Sequence, residues 1–298
     1  MAVVFDTPAT GGSGFEEEVW ARIARGYAAF GSPFVPCRAD IAAFEDAVNT
    51  QASLRPAKGL QAVMLGVTPG LALMRWPVGS RILAVEISQS VIKALWPGDV
   101  PQQRQAVCAS WFAIPRGQQS CDVVVGDGSL ATCRFPSEVR ALSRAVHHLL
   151  SEGGSFVFRS YLRPQVQESV ESVFGALFQG AGMSVDCFKM RLYLAMQRSP
   201  QEGVAVRDAA RILDKYQLNS RTMRERLGWS SAAIGPFEAW RNSDAVYSFP
   251  TPDELREVLG ECFDEESATY ATYELAQCCP TLVMRSKSRA RGARGGGW

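Results

Sequence analysis

A carboxylate that follows a loop glycine by 20 positions, each at the end of an apolar run, is suited to holding a ribose. In "AVMLGVTPGLALM" (62–74), Gly66 ends one apolar run and precedes Thr68, Pro69 and Gly70, and Glu86 closes the next, "RILAVEI". Glycine lets backbone approach a ligand closely, and a helix start offers N–H groups to a carboxylate or phosphate. A carboxylate at the end of the following strand can accept hydrogen bonds from two ribose hydroxyls. Gly66, Val67, Thr68, Glu86 and Ile87 are therefore candidate cofactor contacts. Ser110 and Trp111, in "CASW", bring an indole able to flank an adenine. Asp127 and Gly128, in "GDGSL", end a fourth apolar run and face the reacting centre. Asp127 is a catalytic candidate, although an ordinary carboxylate pKa of about 4 makes a poor base at neutral pH.

These residues need strands and helices to bring them together, and the chain alternates accordingly. "QAVMLGV", "RILAVEI", "RQAVCAS", "CDVVVGDGSL" and "GSFVFRSYL" read as strands. The helices between them include "TPGLALM", "SQSVIKALW" capped by Ser88, and "PSEVRALSRAVHHLL", which stops at Gly153-Gly154. Near-continuous apolar strands separated by helices imply a parallel sheet covered on both faces. Before them, "FEEEVWARIARGYAAF" predicts an amphipathic helix running to Gly31, and "SPFVPCRADIAAFEDAVNTQ" a second entered near Asp40. After Thr251, "TPDELREVLGECF" predicts a capped helix. "ESATYATYE" and "PTLVMRS" then lie too close together for a helical crossover and should pair antiparallel.

Residues 162–248 interrupt this rhythm with helical patterns and read as a cap inserted over the carboxyl edge of the sheet. Tyr161 and Arg163 follow the fifth strand there, and Tyr161 is a second catalytic candidate. Lys189, Arg191 and Tyr247 in the insertion join them as candidate substrate contacts, with Trp240 and Asp244 nearby. Tyr27, in "ARGYAAF", is positioned to fold over a cofactor from the N-terminal helices. His147 and His148 lie in a helix whose end points away from the carboxyl edge, so they read as packing and surface residues.

Composition excludes several function classes. A formal net charge of +1 gives no general attraction to nucleic acid or membrane. No apolar run reaches the about 18 residues of a membrane span. The eight cysteines contain no C-x-x-C and the two histidines are adjacent, so no metal site is indicated. "MAVVFDTPATGGSG" has no basic-then-apolar export signal, and a cytoplasmic location is expected. The tail "RSKSRARGARGGGW" is basic and reads as solvated.

"LGVTP", "AVEIS", "VVGDGSL" and "HHLLSEGGSFVFR" stand in the order and spacing of motifs of class I S-adenosylmethionine-dependent methyltransferases, which the chain resembles over 60–161 and 250–285. More narrowly, L-G-V-T-P followed by G-D-G-S-L resembles a bacterial group of such enzymes without a defined substrate. Met64 and Thr68 stand where the superfamily usually has an acidic residue and a second glycine, and Ala109 or Ser110 where an acidic residue commonly faces the adenine.

The resemblance implies an α/β, Rossmann-like, mostly parallel sheet with an antiparallel C-terminal strand and an inserted helical cap. The expected organisation is a disordered 1–14, N-terminal helices in 15–58, a cofactor-binding domain of 59–161 and 249–285, a substrate cap of 162–248 and a basic tail of 286–298. It implies S-adenosyl-L-methionine as cofactor and in-line methyl transfer to an O, N or C nucleophile of a small molecule. The alternatives are a methyltransferase of RNA or another macromolecule and a non-catalytic S-adenosylmethionine-binding module. "GDGS" in place of an N-P-P-Y type motif speaks against nucleic-acid bases. A homo-oligomer is left open by the sequence.

Overall fold

In the computed structural model, which describes residues 14–55, 59–180, 182–239, 241 and 243–289, alternate residues of each central strand face opposite helical layers. Strand β1 (Gln61–Leu65) shows how this arises. Ala62 and Met64 pack towards Phe44, Val48 and Leu71, whereas Val63 and Leu65 pack towards Leu142 and Val146. Both faces of the strand are apolar because both are covered.

The first face carries α2 (Arg38–Ser53), α3 (Pro69–Leu73) and α4 (Gln89–Leu95), with α1 (Gly14–Arg25) packed against α4. The second carries α5 (Ser137–Leu149) and α11 (Pro252–Leu259). Between these layers run β1, β2 (Arg81–Glu86), β3 (Arg104–Cys108), β4 (Cys121–Asp127) and β5 (Leu150–Arg159), all parallel. The insertion holds α6 (Val170–Phe178), α7 (Val185–Met196), α8 (Val206–Lys215), α9 (Ser220–Leu227) and α10 (Ser231–Ala239). A two-stranded ribbon of β6 (Val204–Ala205) and β7 (Val246–Tyr247) ties its middle to its C-terminal end. Strands β8 (Phe263–Thr269) and β9 (Thr281–Ser286) pair antiparallel and close the sheet. Its order is β3-β2-β1-β4-β5-β9-β8, with β9 antiparallel to β5, so the fold is a Rossmann-like, mostly parallel α/β sheet.

The insertion and the carboxyl edge share one core. Phe174, Phe188, Tyr193 and Leu213 of the insertion pack in the same cluster as Tyr161, Phe249 and Cys279. The inserted helices therefore stand directly on the strand ends.

Local signals account for several boundaries. Ser88 caps α4 by accepting the Val91 N–H at 3.1 Å. Thr251 and Glu254 form a reciprocal capping box at the start of α11. Other expectations are corrected. The first helix ends at Arg25, before Gly31, because a tighter 3₁₀ turn over Tyr27–Ala29 takes over after Gly26. Helix α5 stops at Leu149 and leads straight into β5, so Gly153-Gly154 is not its stop. Gly153 adopts φ +68° within β5, where the pairing register with β4 shifts. Residues 1–13, Trp240 and the tail from 290 lie outside the described residues.

Candidate functional site

Strand order reverses between β1 and β4, and the crevice beyond their carboxyl ends is where an open α/β sheet receives a ligand. Gly66 leaves β1 with φ +85°, a conformation that side chains disfavour. Its N–H donates to the Val85 carbonyl at 2.8 Å, and the Trp111 indole N–H donates to the same oxygen at 2.7 Å. A Cβ on Gly66 would lie 3.6 Å from Glu86 Oε2 and 3.7 Å from Trp111 Cζ2. Gly66, Glu86 and Trp111 thus converge on one spot at the ends of β1 and β2. Glu86 Oε1 accepts the Ser88 N–H at 2.9 Å. Burial raises the Glu86 carboxyl above its ordinary value, against the lowering effect of the Ser88 and Ile87 backbone N–H groups.

The neighbouring loop positions divide by role. Ile87 is exposed, whereas Val67 is buried in the core beneath the loop. Ser110 Oγ accepts the Phe112 N–H at 3.3 Å and so caps its own turn. Thr68 precedes α3 without a side-chain cap, and Pro69 removes an N–H from the first turn of this five-residue helix. The anion-binding helix start expected here is therefore weak. At Gly70 a Cβ would meet Ile41 Cδ1 at 3.1 Å, so the missing side chain there admits α2.

A second constellation lies at the ends of β4 and β5. Arg159 is 1% exposed, and its Nε donates to Asp127 Oδ1 at 2.6 Å. Its Nη1 donates to Tyr273 Oη at 2.9 Å and lies 3.6 Å from Asp40 Oδ2. Its Nη2 is 3.4 Å from Tyr161 Oη, which itself reaches the Phe34 carbonyl at 3.4 Å. Burial raises the Asp127 carboxyl and Arg159 opposes this, while the Arg159 guanidinium stays firmly charged beside Asp127. Tyr27 is also raised by burial and by the nearby Asp127 charge. Gly128, at φ +65°, packs so closely on Tyr161 that a Cβ would lie 2.7 Å from Cε2 of its ring.

These strand ends open into a cavity of about 200 Å³. Trp20, Ile23, Ala24, Tyr27, Phe30 and Phe34 form its N-terminal wall, and Val91 and Leu95 of α4 another. Asp127, Gly128, Ala131, Thr132, Tyr161, Lys189, Tyr247 and Phe249 complete it. Lys189 is fully buried, with Nζ 3.2 Å from Asp186 Oδ1 and 4.6 Å from the centroid of the Phe30 ring. Asp186 is held in turn by the Gly31 N–H, which donates to Oδ2 at 2.7 Å.

Of the sequence candidates, Tyr27, Asp127, Gly128, Tyr161, Lys189 and Tyr247 line this cavity. Arg163 and Arg191 do not. Arg163 approaches Glu254 at 3.8 Å and Gln167, and Arg191 pairs with Glu168. Asp244 pairs with Arg207 at the surface. His147 and His148 hydrogen-bond the carbonyls of Lys287 and Arg144, outside the cavity. The sequence reading missed Arg159, Asp40 and Tyr273. Arg159 did carry a signal, since a charge inside the apolar run "SFVFRS" must be paired if buried. Among the described residues, no three His, Cys, Asp or Glu side chains converge so as to hold a metal ion.

No family model and no curated protein matches this sequence. Solved structures do resemble the fold. A protein described as a Zn-dependent alcohol dehydrogenase from Rhodobacter sphaeroides superposes with a TM-score of 0.57 at 15% identity, over 92% of this chain and 99% of that one. The N-methyltransferase NodS from Bradyrhizobium japonicum, in complex with S-adenosyl-L-homocysteine, gives 0.47 at 9%, over 93% and 100%. A SAM-dependent methyltransferase from Methanosarcina mazei gives 0.43 at 12%, over 77% and 93%. At such identities the likeness concerns architecture, and this chain shares with known structures a Rossmann-like α/β fold.

Proposed function

We propose that the protein is an S-adenosylmethionine-dependent methyltransferase acting on a small molecule. The observation that carries this reading is Glu86 Oε2 facing Gly66 across the ends of β1 and β2, within a sheet whose antiparallel β9 lies between β5 and the edge strand β8. The absent side chain at position 66 leaves room beside a carboxylate, which is the cradle a ribose edge needs. Glu86 would hold the ribose hydroxyls, with Ile87 and Trp111 flanking the adenine. Asp127, Gly128 and Tyr27 would line the methionine end. Tyr161, Lys189 and Tyr247 would face the acceptor, and the placement of Arg163 and Arg191 argues for leaving both out of that set.

When bound, the cofactor supplies a methyl group on a sulfonium sulfur that leaves with the bonding electron pair. The chain's own task is then proximity and orientation. Trp20, Phe30, Phe34 and Phe249 exclude water from the reacting atoms, and the modest cavity volume suits a small acceptor rather than a macromolecule. Asp127 is committed to Arg159, so it orients rather than abstracts a proton.

Calorimetry with S-adenosylmethionine and S-adenosylhomocysteine tests this. Saturable binding of both is expected, weakened by roughly 1–3 kcal/mol in Glu86→Ala. Absence of binding at millimolar concentration would overturn the reading.

A further inference from the structure

Two buried ion pairs meet at the cavity, and each shows it only one of its halves. At the strand ends Asp127 lines the cavity while its partner Arg159 lies behind it. On α7 the order of charge is reversed, for Lys189 lines the cavity while its partner Asp186 lies behind, clasped by the Gly31 N–H. The cavity therefore meets the carboxylate half of one pair at the sheet and the ammonium half of the other at the inserted helices. The walls between them are apolar, with Ile23, Ala24, Leu95 and Phe249 among them. Apolar walls keep the local dielectric low, so a ligand feels the near half of each pair although the partner behind offsets part of its charge.

We infer that the acceptor is an apolar molecule bearing one anionic oxygen group, which docks against Lys189 Nζ with the rest of the molecule directed towards Asp127. This inference rests on the methyl-transfer reading, in which the Asp127 end faces the cationic cofactor. An anionic group is drawn to the Lys189 end and repelled from the Asp127 end, which fixes the molecule's direction in the cavity. A protonated amine would meet the opposite field at the Lys189 end. The Phe30 and Phe34 rings lie 4.6 and 5.2 Å from Nζ, and with Asp186 they hold the ammonium in place.

The test uses three naphthalene probes of nearly one shape in calorimetric titrations of the full-length protein saturated with S-adenosylhomocysteine. These are 2-naphthoate, the neutral 2-naphthalenemethanol and the cationic 2-naphthylmethylamine. We expect naphthoate to bind at least tenfold more tightly than the alcohol, and the amine to bind more weakly than either. Lys189→Met should remove the preference for naphthoate over the alcohol; because it leaves Asp186 buried without its ammonium, its S-adenosylhomocysteine titration serves as the check that it folds, and Lys189→Arg is the second variant. Lys189→Arg should keep the preference, since charge is what matters. Equal binding of naphthoate and amine, or a preference that survives Lys189→Met, overturns the inference. If S-adenosylhomocysteine itself fails to bind the wild-type protein, the methyltransferase reading fails instead, and the two failures are thus distinct.

Discussion

Asp127 and Arg159 are register partners at the carboxyl ends of the adjacent parallel strands β4 and β5, and their side chains meet at 2.6 Å with both almost completely buried. Removing one member of such a pair leaves a charge in a medium that cannot solvate it. Arg159→Met would strand both Asp127 and Asp40, and a loss of about 3–5 kcal/mol is expected in urea denaturation. Asp127→Asn should cost less, because Arg159 retains Asp40 and Tyr273. Equal losses for the two variants would show that Asp40 does not share the charge.

Glu86 should trade stability against binding. Burial raises its carboxyl, so the ionised form destabilises the ligand-free protein. That cost is absent below the ordinary carboxylate range and is complete once the pH has risen through the raised value. Glu86→Gln should therefore increase Tm at neutral pH, with the gain vanishing in acid, and should weaken cofactor binding at the same time. In the wild type, affinity should decline as pH falls towards the carboxylate range, and the glutamine variant should lose this dependence. Scanning calorimetry and binding titrations across pH measure both arms.

Two glycines of one loop should behave differently. Gly66→Ala forces a side chain into φ +85° and costs about 1–2 kcal/mol. Its methyl would also stand between Glu86 and Trp111, so cofactor affinity should fall by more than tenfold. Gly70→Ala presses on Ile41, a flexible side chain, and should affect stability alone. Binding and denaturation measured on both variants separate a ligand-facing glycine from a packing one.

His147→Ala and His148→Ala should leave cofactor affinity and turnover unchanged. Both imidazoles serve backbone carbonyls, and a loss of about 1 kcal/mol each in denaturation is the expected scale. A marked fall in turnover from either would mean that the helix end communicates with the cavity.

The fold was legible because its signals are local. Val63 and Leu65 against Ala62 and Met64 announce a strand covered on both faces, and Ser88 and Thr251 mark helix starts within three residues of their partners. The pairing of β8 with β9 followed from the short loop between them. The charged group behind the cavity was not legible, since Arg159 meets Tyr273 across 114 positions of sequence and no periodicity records such a meeting. Asp40 did carry a local meaning, capping α2 through the Cys37 N–H, and this masked its second role beside Arg159. Arg163, expected at the carboxyl edge, and Arg191, expected in the cap, lie outside the cavity because nearby carboxylates hold their side chains, and the sequence does not record those pairings.

The cavity draws its walls from Trp20 through Phe249, and the charge group behind it joins Asp40 to Tyr273. No early portion of the polypeptide contains both. The first five strands already contain Gly66 and Glu86, yet the cavity is incomplete until the inserted helices have followed. The buried arginine waits longer still, for the hairpin that carries Tyr273. A ligand held in that cavity would thus require the chain through Phe249, and the charge group behind it the chain through Tyr273.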